Sequence, residues 1–446
     1  MERQADLGTT SARRARPALA LTIASALVAL ALLAIPRLQA TPASAQTAAQ
    51  GSAAACPGSH WVGAWQAAPQ SSSIGHPDDA FLGLADGRER TFVDQTLRII
   101  VTPHVGGSAI RVHITNRYGA SPLVVDAATL ARRATGSSLV AGSMRALRFG
   151  GSPVAIIPAG QEAISDPVEA DVHPFESLGV SYHVAGPAAL DYHQWAQTTN
   201  YVTAPRSGDH TASASGAAYT ERLTSSYGVT RIDVLAPRSV GAVVAVGDSI
   251  TDGIGSSPNA NRRWPDELTR RVDHAGASLS VVNAGIAGNH VATDGLTSAF
   301  AIGPSAEQRL PFDALHVDGV TDVFVYEGIN DIFMSGANTD PATRIIAGYQ
   351  RIIDAGHRAG LRVVGATITP AGMTGLKEAA RQEVNAWIRT SGAYDAVVDF
   401  DSVVRDPASP ARVLPRYDAA LAHLTDTGYK AEAGSIPLDI FHGTGC

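Results

Sequence analysis

The stretch VVAVGDSITDGIG, Val243 to Gly255, is a run of small and β-branched apolar residues that ends on a glycine, an acid and a hydroxyl. The apolar run predicts a buried strand. The turn-forming residues behind it predict a sharp turn into the next element. Two interpretations fit the polar residues: an ordinary strand-to-helix turn, or a serine nucleophile held at the edge of a sheet.

The sequence around this stretch alternates apolar and amphipathic segments. Strand patterns recur and helical patterns lie between them, and this alternation predicts a parallel sheet covered by helices on both faces. Ligand sites of such sheets lie beyond the carboxyl ends of the strands. The predicted strands are Ala242–Val246, Leu279–Asn283, Val323–Tyr326, Arg362–Thr367 and Ala396–Phe400, and the predicted helices are Pro265–His274, Ala342–Ala359 and Leu376–Thr390.

Three of these strands are followed by small and hydrogen-bonding residues: Gly247-Asp248-Ser249, the segment from Asn283 to Asn289, and the segment from Glu327 to Asp331. A serine nucleophile needs donors aimed at the oxyanion that develops during the reaction. The backbone N–H groups of Ser249 and Gly288 and the side-chain amide of Asn330 could supply them. Asp248 could cap the following helix.

The segment before residue 237 reads as short strands punctuated by glycine and proline, which is typical of a β-sandwich or jelly roll. His104 to Ser108, between two of these strands, is similar to a hairpin connection. We therefore predict a β-sandwich domain over residues 61–236 and an α/β domain over residues 237–446. Five aromatic side chains of the first domain could form either core or a sugar-binding face: Trp61, Trp65, Tyr182, Tyr192 and Trp195.

The N-terminus has the layout of an export signal, with arginines before an apolar run and a small-residue cleavage site. We predict a signal peptide over residues 1–45, a linker over residues 46–60 and a secreted protein, with an uncleaved membrane anchor as the alternative. Cys56 and Cys446 could pair in an oxidising compartment, or both could be free thiols. The formal charge of -7 argues against a nucleic-acid partner.

GDSI, the glycine of NAGIAGN, and GIND resemble the first three signature blocks of the SGNH (GDSL) hydrolases. The segment WVGAWQAAPQ, from Trp61 to Gln70, also resembles the start of a β-rich domain found in an actinobacterial-type subgroup. The resemblance implies a flavodoxin-like three-layer α/β/α fold and serine ester hydrolysis without a metal or cofactor. It implies that Ser249 is the nucleophile and that Ser249, Gly288 and Asn330 form the oxyanion hole.

The fourth block of the family, D-x-x-H, is only partly present. His423 stands at the family's distance before Gly428-Tyr429 and is the expected general base, but the position three residues before it is Ala420. Asp418 could serve as the orienting acid, or a backbone carbonyl could hold the ring. A literal D-x-x-H, Asp439 to His442, leaves His442 as an alternative base.

These patterns predict a secreted serine esterase that acts on short-chain acyl or acetyl esters, carried on a carbohydrate, a polymer or a lipid. The alternative, motivated by Ala420, is a catalytically impaired protein that binds a carbohydrate or a surface through an esterase fold. The sequence does not choose the acyl group or the alcohol. Its histidines show no metal-ligand spacing, so no metal site is expected.

Overall fold

The computed structural model describes residues 56–72, 90–292, 303–336 and 339–445. The predicted signal peptide and Cys446 lie outside the described residues, as does the linker up to residue 55. Cys56 is disulfide-bonded. Within the described ranges, no helix has the length and apolar character needed to span a membrane.

The N-terminal part of the described chain is built from strands. In chain order they are β1 (Ser59–Gln66), β2 (Thr91–Phe92), β3 (Gln95–Val101), β4 (Gly107–Asn116), β5 (Leu123–Val125), β6 (Ala127–Thr135), β7 (Ser138–Leu139), β8 (Arg145–Ala146), β9 (Ala155–Ile157), β10 (Gln161–Ile164), β11 (Val168–Val172), β12 (Leu178–Val184), β13 (Ala188–Ala189), β14 (Tyr192–His193), β15 (Asn200–Val202), β16 (Glu221–Leu223), β17 (Ser226–Tyr227) and β18 (Val229–Pro237). We call this part the β region.

Two antiparallel sheets account for most of these strands. One has the order β1-β18-β4-β10, with β11 also on β4, and the other has the order β16-β15-β3-β12-β6-β7, with β8 on β6. Apolar residues from both sheets, such as Ile99, Ile110 and Val180, form one buried cluster. The β-rich character predicted from the sequence is therefore present, and the jelly-roll topology stays a prediction.

The hairpin predicted at His104 to Ser108 is wrong. β3 and β4 do not pair with each other, because β3 lies in the seven-stranded sheet and β4 in the five-stranded sheet. The His104 ring explains the crossover, since it is buried against the Val281 carbonyl oxygen and lies 3.0 Å from the Asp266 carboxylate. The connection is thus anchored outside the β region instead of turning back on itself.

The remaining chain, which we call the α/β region, alternates strands and helices as predicted. Its strands are β19 (Gly241–Gly247), β20 (Leu279–Gly285), β21 (Val320–Tyr326), β22 (Arg362–Ala366), β23 (Ala396–Val398), β24 (Arg405–Asp406) and β25 (Ser409–Val413). Its α-helices are α1 (Ser249–Asp252), α2 (Trp264–His274), α3 (Ala306–Leu310), α4 (Ile329–Phe333), α5 (Ala342–Arg358), α6 (Gly375–Thr390), α7 (Phe400–Val404) and α8 (Asp426–Ser435). A π-helical turn, Pro311–Leu315, follows α3, and a 3₁₀ turn, Leu438–Ile440, follows α8.

The first five strands of this region form a parallel sheet in the order β20-β19-β21-β22-β23. Numbered within the region, this is the order 2-1-3-4-5 of flavodoxin-like folds, in which the ligand site lies where the strand order reverses. The strand order reverses between β19 and β21, so the ligand site is expected at the carboxyl ends of these two strands. Gly247 at the end of β19 is in register with Gly285 of β20 and Tyr326 of β21, so the three following loops start level with one another.

The two regions share a hydrogen-bonded contact. Gly63 of β1 donates its N–H to the Asp318 carbonyl oxygen at 2.8 Å and accepts from the Ser280 hydroxyl at 2.7 Å. Gln66 donates from Nε2 to the Asp313 carbonyl oxygen at 2.7 Å. A side chain at Gly63 would meet Val317 at 2.6 Å, so glycine permits this close approach.

Candidate active site

The first loop of the sheet edge places Ser249 at the start of α1. Asp248 is the N-cap of this helix and accepts the Ile250 N–H at 2.9 Å, which confirms the predicted capping role. Gly247 leaves no room for a side chain, since a Cβ there would lie 2.3 Å from the Tyr326 carbonyl oxygen. The turn therefore needs glycine before the cap. Trp264 packs on Phe324 and Phe400 in the core.

His423 lies against Ser249. Its Nε2 is 2.8 Å from the Ser249 Oγ, a hydrogen-bond distance across 174 positions of sequence. Burial lowers the pKa of His423, so the ring is neutral near pH 7 and Nε2 can accept the serine proton. The alternative base, His442, lies elsewhere, with its backbone N–H on the Asp322 carboxylate.

The loop that carries His423 has an unusual backbone. Ala420, Leu421 and Ala422 have φ values of 85°, 52° and 71°, three consecutive non-glycine residues in the left-handed region. This conformation is costly for residues with a Cβ and persists where surrounding contacts impose it. Here the contacts are the Ala419 N–H on the His423 carbonyl oxygen at 2.9 Å and the Ala420 N–H on the Asp418 Oδ1 at 2.7 Å.

Asp418, the acid expected to orient His423, therefore binds its own loop. Its side chain is exposed and accepts from Ala420, and no hydrogen bond joins it to the His423 ring in the described part of the chain. After burial, which lowers the pKa of His423, the two influences that raise it are a hydrogen bond with the Ala420 backbone and the charge of Asp252. The His423 ring is thus held by the Ala420 backbone carbonyl, and the charge of the Asp252 carboxylate acts on the ring without a hydrogen bond.

The second and third loops bring the other predicted residues to the same edge. Gly288 has φ 78°, and neither its N–H nor that of Ser249 has a hydrogen-bond partner among the described residues. Asn330 donates one amide hydrogen to the Asn289 carbonyl oxygen at 2.9 Å. An amide carries two hydrogens, so Asn330 keeps a second donor. The Ile286 N–H, bound to the Gly247 carbonyl oxygen at 3.0 Å, ties the second loop to the first.

Beneath the nucleophile lies a group of buried acids. Burial raises the pKa of Asp248 to about 7 although Asp248 hydrogen-bonds to Glu327, and burial with the charge of Asp248 raises that of Glu327 well above its ordinary value. Burial also raises the pKa of Asp331 to about 6. Arg309 is a buried cation that acts on Asp248 and Glu327, and it donates to the Gly247 carbonyl oxygen at 3.0 Å and to Asn289 Oδ1 at 2.9 Å.

Arg309 and Glu327 have no role in the sequence interpretation. Glu327 follows directly on β21, as Asp248 follows the end of β19, so the strand-end signal could have found it. Arg309 comes from α3, which no pattern at the signature blocks predicts. Of the five aromatic residues proposed as core or sugar-binding, Trp65, Tyr182 and Tyr192 are buried.

One cluster has the spacing of a metal site: His113, Asp233 and Asp318 offer ligand atoms within 4.8 Å of one another. Its carboxylates are already paired with guanidinium groups, since Arg111 lies 2.9 Å from Asp233 and 2.5 Å from Asp318. A cation there would have to displace or face these arginines, so the donor set does not fit a metal ion.

Residues 245–431 match the model of the GDSL-like Lipase/Acylhydrolase family. A lipolytic protein of the G-D-S-L family from Desulfitobacterium hafniense DCB-2 is 19% identical, with 44% of this chain and 96% of that chain covered and a TM-score of 0.34. A GDSL-like lipase from Bacteroides thetaiotaomicron VPI-5482 is 17% identical, with 45% and 87% covered and a TM-score of 0.32. A family two carbohydrate esterase from Clostridium thermocellum, an active-site mutant, is 12% identical, with 82% and 95% covered and a TM-score of 0.33. A comparison with curated proteins gives no match.

The matched residues extend from the strand before Ser249 to the helix after His423 and so contain both residues of the Ser–His contact. They also contain Gly288 and Asn330. Residues 245–431 therefore belong to the GDSL-like lipase/acylhydrolase family, and the chain is a carboxylic ester hydrolase of the SGNH/GDSL type.

Proposed function

We propose that the protein is a secreted serine esterase that works through an acyl-enzyme, with Ser249 as nucleophile and His423 as general base. The observation that carries this proposal is the 2.8 Å contact between Ser249 Oγ and His423 Nε2. A neutral imidazole at hydrogen-bond distance from a serine hydroxyl is the arrangement that activates a serine.

In the acylation step, His423 Nε2 takes the Ser249 proton while Oγ attacks the ester carbonyl carbon. The carbonyl oxygen becomes an oxyanion that the N–H groups of Ser249 and Gly288 and the free Asn330 amide hydrogen stabilise. His423 then returns its proton to the leaving alcohol. In deacylation, His423 takes a proton from water, which attacks the acyl carbon. The bond between Ser249 Oγ and the acyl carbon then breaks, His423 returns the proton to Oγ, and the acid is released.

Asp418 has a different place in this proposal from the acid of a Ser-His-Asp triad. Its carboxylate accepts the Ala420 N–H at 2.7 Å and so supports the left-handed conformation of Ala420 to Ala422. The Ala420 backbone in turn hydrogen-bonds to the His423 ring. Asp418 is thus proposed to position His423 through the backbone and not by direct contact.

For the substrate we propose short-chain acyl or acetyl esters on a carbohydrate, a polymer or a lipid. Ser249 is only 7% exposed, which supports a small acyl group. Secretion is proposed from the layout of residues 1–45, with an uncleaved anchor as the other outcome.

Turnover of p-nitrophenyl acetate by residues 46–446 tests the proposal, with Ser249→Ala as the blank and Ser256→Ala as the matched control. Ser256 lies in the loop after α1, and its hydroxyl binds the Gly253 carbonyl oxygen. We expect turnover that Ser249→Ala abolishes and Ser256→Ala retains. A folded wild-type chain that hydrolyses no faster than the blank and takes up no fluorophosphonate at Ser249 would favour the binding protein instead.

A further inference from the structure

A histidine of the β region reaches the catalytic helix. His193, in β14, is 5% exposed, and its Nε2 lies 3.1 Å from Oδ1 of Asp252, the last residue of α1. Its Nδ1 lies 2.9 Å from the Ala68 carbonyl oxygen. Both ring nitrogens therefore face oxygen acceptors, and both contacts are satisfied only when each nitrogen carries a hydrogen. The geometry is that of a buried imidazolium.

The charge agrees with the geometry. Burial opposes a charged His193, yet the charge of Asp252 and the hydrogen bond to it hold the pKa of His193 above its ordinary value. Asp252 itself is 1% exposed. Desolvation disfavours a lone carboxylate at such a site, and a neighbouring cation offsets that cost.

Asp252 connects this cation to the two working parts of the site. Its Oδ2 accepts the Ala287 N–H at 3.2 Å, and Ala287 is the residue before Gly288 of the expected oxyanion hole. Its charge is also the carboxylate charge that raises the pKa of His423. Arg263, which is bound to Asp266 at 2.8 Å, is a further charged group that interacts with Asp252.

We infer that His193 is a positioning residue for ester hydrolysis, which holds the Asp252 carboxylate and balances its charge, so that Asp252 stabilises the imidazolium of His423 and holds the Ala287–Gly288 loop. The inference rests on the proposed function. During acylation His423 gains a proton and becomes positively charged, and no direct carboxylate partner meets that charge among the described residues. Asp252 supplies the compensating charge through space, and the β region supplies the group that permits it.

The pH dependence of kcat/KM distinguishes this role from a purely structural tie between the regions. In Asp252→Asn the negative charge is gone, so the pKa of His423 falls and the acidic limb moves to lower pH. In His193→Gln the limb moves to higher pH, because the charge of Asp252 then acts on His423 without its counter-charge and raises the pKa of His423 further. The double variant should have its acidic limb at the same pH as Asp252→Asn. We expect each shift to be about half a pH unit or more.

His113→Gln is the matched control. His113 is a buried histidine of the same region, 3.0 Å from Glu162 and 2.6 Å from Asp233. Its cluster includes Asp318, which precedes β21 and so lies at the edge of the sheet opposite Ser249. The control is expected to lower stability and to leave the acidic limb in place. If the acidic limb of kcat/KM in both single variants lies at the wild-type pH, the inference is wrong. If His193→Gln does not fold, the limb of Asp252→Asn alone tests the inference.

Histidine NMR gives a readout that does not depend on turnover. We expect the imidazole of His193, assigned by its loss in His193→Gln, to titrate above about 6.5, the ordinary value for histidine. A midpoint at or below that value overturns the inference. Failure of the proposed function is recognised separately, as wild-type turnover no greater than that of Ser249→Ala.

Discussion

Asp233 of the β region and the acids beneath Ser249 in the α/β region are buried in opposite electrostatic surroundings. Asp233, on β18 beside β4, is fully buried, but the His113 ring at 2.6 Å and the Arg111 guanidinium at 2.9 Å offset burial and hold its pKa well below the ordinary range. Beneath Ser249, burial raises the pKa of Asp248 to about 7. Burial and the charge of Asp248 also raise the pKa of Glu327 well above its ordinary value.

The difference lies in the balance of charges. Cations surround Asp233, so its ionised form is stable and the group acts as a structural tie. Beneath Ser249, Asp248 and Glu327 share Arg309, so protonated and ionised forms of Asp248 compete near neutral pH. Perturbed acids of this kind concentrate at functional sites, and the comparison separates a buried acid whose charge is balanced from acids that are buried unfavourably beneath the nucleophile.

We expect the largest effect, a loss of catalysis, from a substitution in the α/β region. Ser249→Ala should reduce kcat by about 10⁴-fold or more, because the covalent step has no substitute nucleophile. The measurement is turnover of p-nitrophenyl acetate beside the thermal midpoint. A variant that keeps a tenth of the wild-type rate would contradict the assignment of Ser249.

A substitution in the β region should instead lower the free energy of unfolding. Asp233→Ala removes the carboxylate that the buried His113 ring and the half-buried Arg111 guanidinium share, and we expect the free energy of unfolding to fall by about 3–5 kcal/mol. Urea denaturation at neutral pH measures this. The difference in unfolding free energy between wild type and variant should shrink as the pH falls through the range where Asp233 becomes protonated. A carboxylate with a lowered pKa stabilises the folded state only while it is ionised. An unchanged midpoint would break the comparison.

The oxyanion loops come next. Asn330→Ala removes one side-chain donor and should lower kcat by about 10²–10³-fold with a smaller change in KM, since this contact strengthens only in the transition state. Steady-state kinetics with p-nitrophenyl acetate gives both parameters. A rise in KM at constant kcat would show instead that Asn330 binds the ground state.

Asp418 should show a smaller effect whose pattern is diagnostic. Asp418→Ala removes the acceptor of the Ala420 N–H and should lower kcat about tenfold by loosening the loop. Asp418→Asn keeps an oxygen acceptor and should restore most of the rate. A triad acid behaves differently, because its asparagine variant loses about 10⁴-fold. A severe loss in Asp418→Asn would therefore make Asp418 the direct partner of His423.

The smallest effect concerns the acids beneath Ser249. Their raised pKa values mean that the folded state binds more protons than the unfolded state between about pH 4 and about pH 7, so their contribution to stability falls as the pH rises through that window. Glu327→Gln removes one titrating group. We expect the decrease in unfolding free energy between about pH 5 and about pH 8 to be smaller by about 1 kcal/mol. Parallel urea titrations measure it, and an equal decrease would contradict the assignment.

Much of the α/β region follows from local pattern. The strand Leu279–Gly285 and the helix Ala342–Arg358 lie within two residues of their predicted bounds, because buried strands and amphipathic helices have distinct periodicities. The cap at Asp248 and the glycine before it also follow from turn chemistry. The failure of the hairpin at His104 is of another kind, since β3 pairs with β12 and β15, which lie far along the chain, and the His104 ring contacts Val281, 177 positions away.

By itself, the sequence determined the order of the strands and helices, the strand-end residues and the identity of the serine, because each depends on neighbours along the chain. Only the tertiary structure decided which histidine contacts Ser249, which group the Asp418 side chain binds and that His193 contacts Asp252. These outcomes depend on contacts between distant segments, and a one-dimensional pattern carries no distance between them. The Ser249–His423 contact and the His193–Asp252 contact are both of this kind, and each requires the completed fold.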